Sequence, residues 1–142
     1  MNNRILCVIL IWVMLIFFSG CTFVEPNFDC SVKDGSVNIQ NGLSKGAYLK
    51  LVDKDKKIFK TLYIPTNSNG VINGICNGRY YLYYELGEQW DPSSNSFKDK
   101  TSLKKFSDPL DFTGNNNYKA TLNPVPGGNA KTSNVNEEDF PK

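Results

Sequence analysis

Arg79-Tyr80-Tyr81-Leu82-Tyr83-Tyr84-Glu85-Leu86 is the stretch on which the fold turns. Read with a period of two, Tyr80, Leu82, Tyr84 and Leu86 fall on one side, and Arg79, Tyr81, Tyr83 and Glu85 on the other. A β-strand sends successive side chains to opposite faces. Aromatic side chains suit that pleated setting. The even-numbered side is wholly apolar or aromatic, so the segment reads as a strand with one face on a core.

The same period extends outward in both directions. Toward the N-terminus, Val37 and Ile39 alternate with Ser36, Asn38 and Gln40, and Asn41-Gly42 is a turn signal. Ala47–Val52 and Ile58–Ile64 form a predicted hairpin with a charged tip at Asp53–Lys56, and Pro65 ends its second strand. Thr66–Gly70 reads as a loop, and Val71–Cys76 as a short strand interrupted at Asn73-Gly74. Beyond the opening stretch, Gly87–Ser96 reads as a loop around Trp90-Asp91-Pro92. Phe97–Lys105 has a mixed pattern. Phe106, Leu110 and Phe112 suggest a strand that Asp108-Pro109 confines to an edge or a bulge. Tyr118, Ala120 and Leu122 alternate with polar residues up to Pro124.

About seven short strands separated by close turn signals predict an all-β domain over residues 30–123, an antiparallel β-sandwich or a small barrel. Gly70-Val71 and Asn77-Gly78-Arg79-Tyr80-Tyr81-Leu82 resemble the penultimate strands of transthyretin-like and carboxypeptidase-regulatory-like modules. The resemblance implies a sandwich of immunoglobulin or transthyretin type. Residues 124–142 carry Pro126, Gly127-Gly128 and Glu137-Glu138-Asp139 without periodicity, and read as a flexible C-terminal tail, with docking of Phe140-Pro141 back on the domain as the lesser alternative.

The N-terminus is of another kind. Arg4 precedes an uninterrupted apolar run from Ile5 to Phe18. That run is shorter than the roughly 20 residues a bilayer span needs. It matches the apolar region of a helical secretory signal peptide over residues 1–20. Phe18-Ser19-Gly20-Cys21 resembles a bacterial lipobox, with Phe18 where that family prefers Leu. The resemblance implies cleavage before Cys21, a diacylglyceryl group on its thiol, and localisation at a cell membrane or outer membrane, facing away from the cytoplasm. Two or more acyl chains give stable anchoring, at about 0.8 kcal/mol per buried methylene. Thr22, in place of Asp, implies the outer membrane in a double-membraned bacterium. Residues 21–29 would form a tether, and the eight after the cysteine reach at most roughly 26 Å.

Composition narrows the function classes. The chain has 16 Lys and Arg against 14 Asp and Glu, so no electrostatic footprint points to nucleic acid. It contains no His, which removes the commonest general base and transition-metal ligand. Cys7 leaves with the leader and Cys21 takes the lipid, so Cys30 and Cys76 remain. In an oxidising compartment such a pair most simply forms a disulfide. It would close a loop of about 45 residues, at about 4 kcal/mol in the chain-entropy model. A metal site on the same two cysteines would need further ligands.

The most suggestive binding residues are aromatic. Tyr81 and Tyr83, on the outward side of the strongest strand, and Trp90 in the loop after it form a candidate surface for a glycan or a protein. The competing reading of the aromatic residues is ordinary strand and core formation. Asp53 and Asp55 stand among Lys54, Lys56 and Lys57, too positive a setting for a calcium loop, and read as an exposed hairpin tip. Glu85, Glu88 and Asp91 are the nearest carboxylates for glycoside hydrolysis, but their spacing does not show convergence. Ser93, Ser94 and Ser96 lack a His for triad chemistry. The reading is a non-catalytic, cofactor-free, membrane-anchored envelope lipoprotein with a β-sandwich for binding or structure. Its alternatives are a periplasmic inhibitor of a cell-wall-degrading enzyme and a carbohydrate-binding module.

Overall fold

In the computed structural model, which describes Cys30, Ser31 and residues 33–142, the period-two pattern becomes nine strands. They are β1 (Gly35–Asn41), β2 (Gly46–Val52), β3 (Ile58–Ile64), β4 (Ser68–Ile75), β5 (Gly78–Asp91), β6 (Ser96–Phe106), β7 (Leu110–Phe112), β8 (Asn117–Thr121) and β9 (Thr132–Asn134). The signal peptide expected over 1–20, Cys21 and the tether to residue 29 lie outside the described residues.

Two sheets pack as a sandwich. The smaller has the order β4-β1-β8, and the larger β3-β2-β5-β6-β9, with β7 pairing to the start of β5. The strand with the strongest alternation lies in the middle of the larger sheet, where β5 pairs with β2, β6 and β7. Its even-numbered side chains Tyr80, Leu82, Tyr84 and Leu86 meet Val37 and Ile39 of β1 and Ile72 and Ile75 of β4 in one core. Fully burying a side chain such as Leu82 (1% exposed) stabilises by roughly 1.5–3 kcal/mol. The β2–β3 hairpin forms as its pattern predicts, and the Asp53 carboxylate accepts from the backbone N–H of Asp55 and Lys57 at its tip.

Asn41 does more than mark a turn. It is completely buried between the end of β1 and the start of the chain's crossing from β3 to β4. Its Nδ2 donates to the carbonyls of Lys45 (2.9 Å), Ile64 (3.3 Å) and Pro65 (2.9 Å), while its Oδ1 accepts from Leu43 N–H (3.2 Å). One amide thus satisfies backbone groups that the corner would otherwise bury unpaired. A second tie is the disulfide between Cys30 and Cys76, whose Cα atoms are 4.8 Å apart. It fixes the start of the described chain to the turn between β4 and β5.

The sandwich is as the pattern predicts, and four details of it are corrected. The pairing is not wholly antiparallel, because β8 runs parallel to β1, from Ser36↔Asn117 to Gln40↔Thr121. β8 arrives from β7 in the opposite sheet, and such a crossover brings a strand in alongside without a hairpin reversal. The expected loop Gly87–Ser96 is mostly strand: β5 continues to Asp91 and pairs with β6, and the chain reverses only over 92–95. The bulge beside Leu86 and Gly87 puts its extra residue, Thr101, on β6, and the left-handed Gln89 (φ 53°) breaks the alternation of β5 itself, so that even-numbered Trp90 joins Tyr48 and Tyr63 on the outer face. The loop expected at Thr66–Gly70 gives way to β4 from Ser68, with Gly74 (φ 64°) looped out of the pairing. The flexible tail expected over 124–142 returns to the sheet, where β9 pairs with β6 and Phe140 and Pro141 are buried.

Candidate functional site

The outer face of the larger sheet collects the residues that composition and pattern single out. Cross-strand pairing aligns Tyr63, Tyr48, Glu85 and Leu103 in one row across β3, β2, β5 and β6. Thr61, Lys50, Tyr83 and Lys105 form the next row, and Val52 and Tyr81 follow. The face divides into an aromatic end and an end roofed by the C-terminal segment.

The aromatic end is built on two glycines. Gly46 of β2 and Gly87 of β5 are paired directly. A Cβ on Gly87 would run into the Phe97 ring, and one on Gly46 would meet Tyr63 and Phe97 at 3.0–3.1 Å. Their missing side chains leave a shallow seat in which rings lie against backbone. Trp90 stacks on Tyr63 with centroids 4.4 Å apart and planes 3° from parallel. It also meets Tyr48 at 4.9 Å and Phe97 edge-on at 5.1 Å. Trp90 and Tyr63 remain half-buried, whereas Phe97 and Tyr48 are buried.

At the roofed end, Tyr83, Val52, Leu103 and Phe140 form a second apolar cluster, flanked by Ile58, Tyr81 and Val135. The Phe140 ring meets Tyr83 edge-on at 5.9 Å. Lys50 lies 5.1 Å from the Phe140 centroid and donates to the Pro141 carbonyl at 2.7 Å. Burial lowers the Lys50 ammonium below its ordinary value, against the opposing pull of Glu85. Lys105 lies 5.8 Å from both the Tyr81 and Tyr83 rings.

Between the two ends sits Glu85, 5% exposed. Its Oε2 pairs with Lys100 at 3.3 Å, while its Oε1 is buried with no hydrogen-bond partner among the described residues. Lys100 also donates to Glu137 of the C-terminal segment at 3.1 Å. Burial alone would lower the Lys100 ammonium, but the hydrogen bonds and charges of Glu137 and Glu85 raise it overall.

The candidate set Tyr81, Tyr83 and Trp90 is therefore not one surface. Trp90 belongs to the ring cluster, and Tyr83, expected to face outward into solvent, lies 5% exposed beneath Phe140. The three carboxylates considered for hydrolysis each have a separate partner. Glu85 pairs with Lys100, Glu88 with Lys45 at 3.8 Å, and Asp91 accepts from the Ser93 hydroxyl at 2.6 Å. That hydroxyl bond, with the Ser93 N–H, holds the Asp91 carboxyl below its ordinary range. Ser94 and Ser96 hydrogen-bond each other at 2.7 Å. Among the described residues no group of three or more His, Cys, Asp or Glu side chains converges as a metal site.

Pattern reading missed Tyr48, Tyr63 and Phe97 as partners of Trp90, and Lys50 and Lys100 as parts of the roofed end, whereas the docking of Phe140-Pro141 was its lesser alternative for the tail. One signal was present: single glycines inside alternating apolar segments mark places of close approach. The fold and this face together define a two-sheet β-sandwich with an aromatic, lysine-rimmed outer surface. Comparison with protein-family models, curated proteins and solved structures finds no match to the chain.

Proposed function

We propose that this chain is a lipid-anchored protein of the cell envelope whose β-sandwich binds a partner close to the membrane, without catalysis of its own. The carrying observation is the Cys30–Cys76 disulfide a short way past Phe18-Ser19-Gly20-Cys21. A disulfide of this kind suits an oxidising compartment. The leader supplies the route to that compartment, and Cys21 the means of staying at its membrane. Growth with a labelled fatty acid tests the anchor. The wild type should take up label and sediment with membranes, and Cys21→Ala should do neither. A wild-type chain that takes up no label overturns the anchor.

A second reading has its own observation, the half-buried Trp90–Tyr63 stack over the Gly46–Gly87 seat. Aromatic faces at a wet surface suit the apolar side of a sugar ring, which makes a carbohydrate-binding module the alternative. Glycan-array binding that disappears in Trp90→Ala favours it. Binding that survives the substitution removes the stack from consideration.

A further inference from the structure

We propose that the roofed end of the large sheet is a peptide-docking groove, occupied here in cis by residues 131–141 of the chain's own C-terminus. Its exogenous ligand is an extended polypeptide segment of the same chemistry: a short edge-pairing strand, then acidic residues, then an aromatic-proline pair. The inference deepens the binding role proposed above by naming the surface and the kind of partner.

Three kinds of contact make the C-terminal segment behave as a bound peptide. The first is backbone addition. β9 pairs with the edge of β6 from Phe106↔Thr132 to Lys104↔Asn134, and Ser107 N–H to Lys131 C=O (2.8 Å) and Val135 N–H to Leu103 C=O (2.9 Å) extend the ladder. Adding a strand to an exposed sheet edge is a recurrent mode of peptide recognition. The second is a side-chain anchor: Phe140, 6% exposed, packs with Tyr83, Val52 and Leu103. The third is charge. Glu137 meets Lys100 at 3.1 Å, Asp139 meets Lys56 at 3.4 Å, and Lys50 holds the Pro141 carbonyl. The sheet contributes the cations and the segment the anions, an arrangement that speeds encounter and sets register.

The segment is also built to leave. All three residues of β9 are exposed, and among the described residues none beyond Leu122 belongs to the apolar core between the sheets, to which the segment is tied by a hydrogen bond of the Thr132 side chain with Tyr84. The chain reaches β9 through exposed residues 124–130, with Gly127 in the left-handed region (φ 72°). Release therefore keeps the apolar packing between the sheets and gives up the Thr132–Tyr84 hydrogen bond. Beside the groove, toward the aromatic end, the buried Glu85 Oε1 has no hydrogen-bond partner among the described residues while the tail is bound. A ligand bringing a hydrogen-bond donor to that atom gains an interaction that the tail does not make. Such a gain matters because a tethered segment competes at an effective concentration in the millimolar range.

The test uses the full chain in detergent micelles, so that it reads the same whether or not Cys21 carries lipid, and acyl labelling reports on the anchor separately. The probe is a fluorescein-labelled peptide with the sequence of residues 131–142, followed by anisotropy. Weakening the tethered competitor should open the groove. Phe140→Ala and, independently, the double variant Glu137→Lys/Asp139→Lys should each bind the probe at least about tenfold more tightly than the wild-type chain. Adding Lys50→Glu and Lys100→Glu to either should remove that gain, as should replacing Phe by Ala in the probe. The charge variant decides the matter if Phe140→Ala does not fold. Variants with native circular dichroism that bind the probe no better than wild type overturn the proposal.

Discussion

Leu82 and Tyr83 are neighbours in β5, yet they enter two clusters that are closed in different ways. Between the sheets, Leu49, Leu51, Tyr80, Leu82 and Tyr84 are each at most 2% exposed, and strands of both sheets enclose them. On the outer face Val52, Tyr83, Leu103 and Phe140 are also buried, at 0–8% exposure, but beneath a single returning segment. The same strand supplies both clusters, so strand propensity does not distinguish them. What differs is how many independent elements must move for water to enter. The inner core opens only when the sandwich comes apart. The outer cluster opens when the single C-terminal segment, with its ring, edge strand and ion pairs, lets go, as low-stability local openings do.

That difference predicts unequal costs. Leu82→Ala should have the largest effect, a loss of about 3 kcal/mol in urea unfolding, because rigid neighbours from two sheets cannot fill the cavity. Phe140→Ala should cost less, about 1–2 kcal/mol, since the segment can detach instead of holding a cavity open. Hydrogen exchange should then quicken at residues 131–135 and along the β6 edge, with β1, β2 and β5 still protected. Equal costs for the two substitutions, or a general loss of protection in Phe140→Ala, would break the distinction between the clusters.

The smallest expected effect lies where β5 leaves both clusters. Arg79 grips Asp111 of β7 through Nε at 2.6 Å and Nη2 at 2.8 Å. That hydrogen bonding, and then the guanidinium charge, hold the Asp111 carboxyl below its ordinary range. The folded value is depressed, so the contribution is present above the unfolded carboxylate value of about 3.9 and fades as pH falls through the lower folded value. An NMR titration should show the Asp111 midpoint rising in Arg79→Ala, with little change in stability at neutral pH because the pair is exposed. An unmoved midpoint would remove the pair from the account of how β7 is held.

Legibility followed the range of the interactions. Val37, Ile39, Leu49, Leu51 and the even-numbered face of β5 were readable because a core-facing strand repeats every two residues, whatever it packs against. The turn tip at Asp53 was readable because its hydrogen bonds close within a few residues. The continuation of β5 was hidden, because the left-handed Gln89 shifts the alternation and the pairing of Trp90 with Phe97 carries no local mark. Phe140 looked like part of a tail, since nothing near it in the chain repeats and its partners Tyr83 and Val52 are remote in sequence. For the candidate surface, Trp90 was visible by type, but Tyr48 and Tyr63 join it only through the register of β2 and β3.

The chain's local pattern by itself determined an all-β domain, its most strongly alternating strand and the inward face of that strand. These follow from side-chain alternation and composition, which act over a few residues at a time. Only the tertiary structure decided that β8 lies parallel to β1, that Gly46 and Gly87 meet to seat a ring cluster, and that the last residues roof Tyr83. Each of these depends on which distant strands become neighbours, and burial of apolar surface selects those neighbours without regard to their distance along the chain.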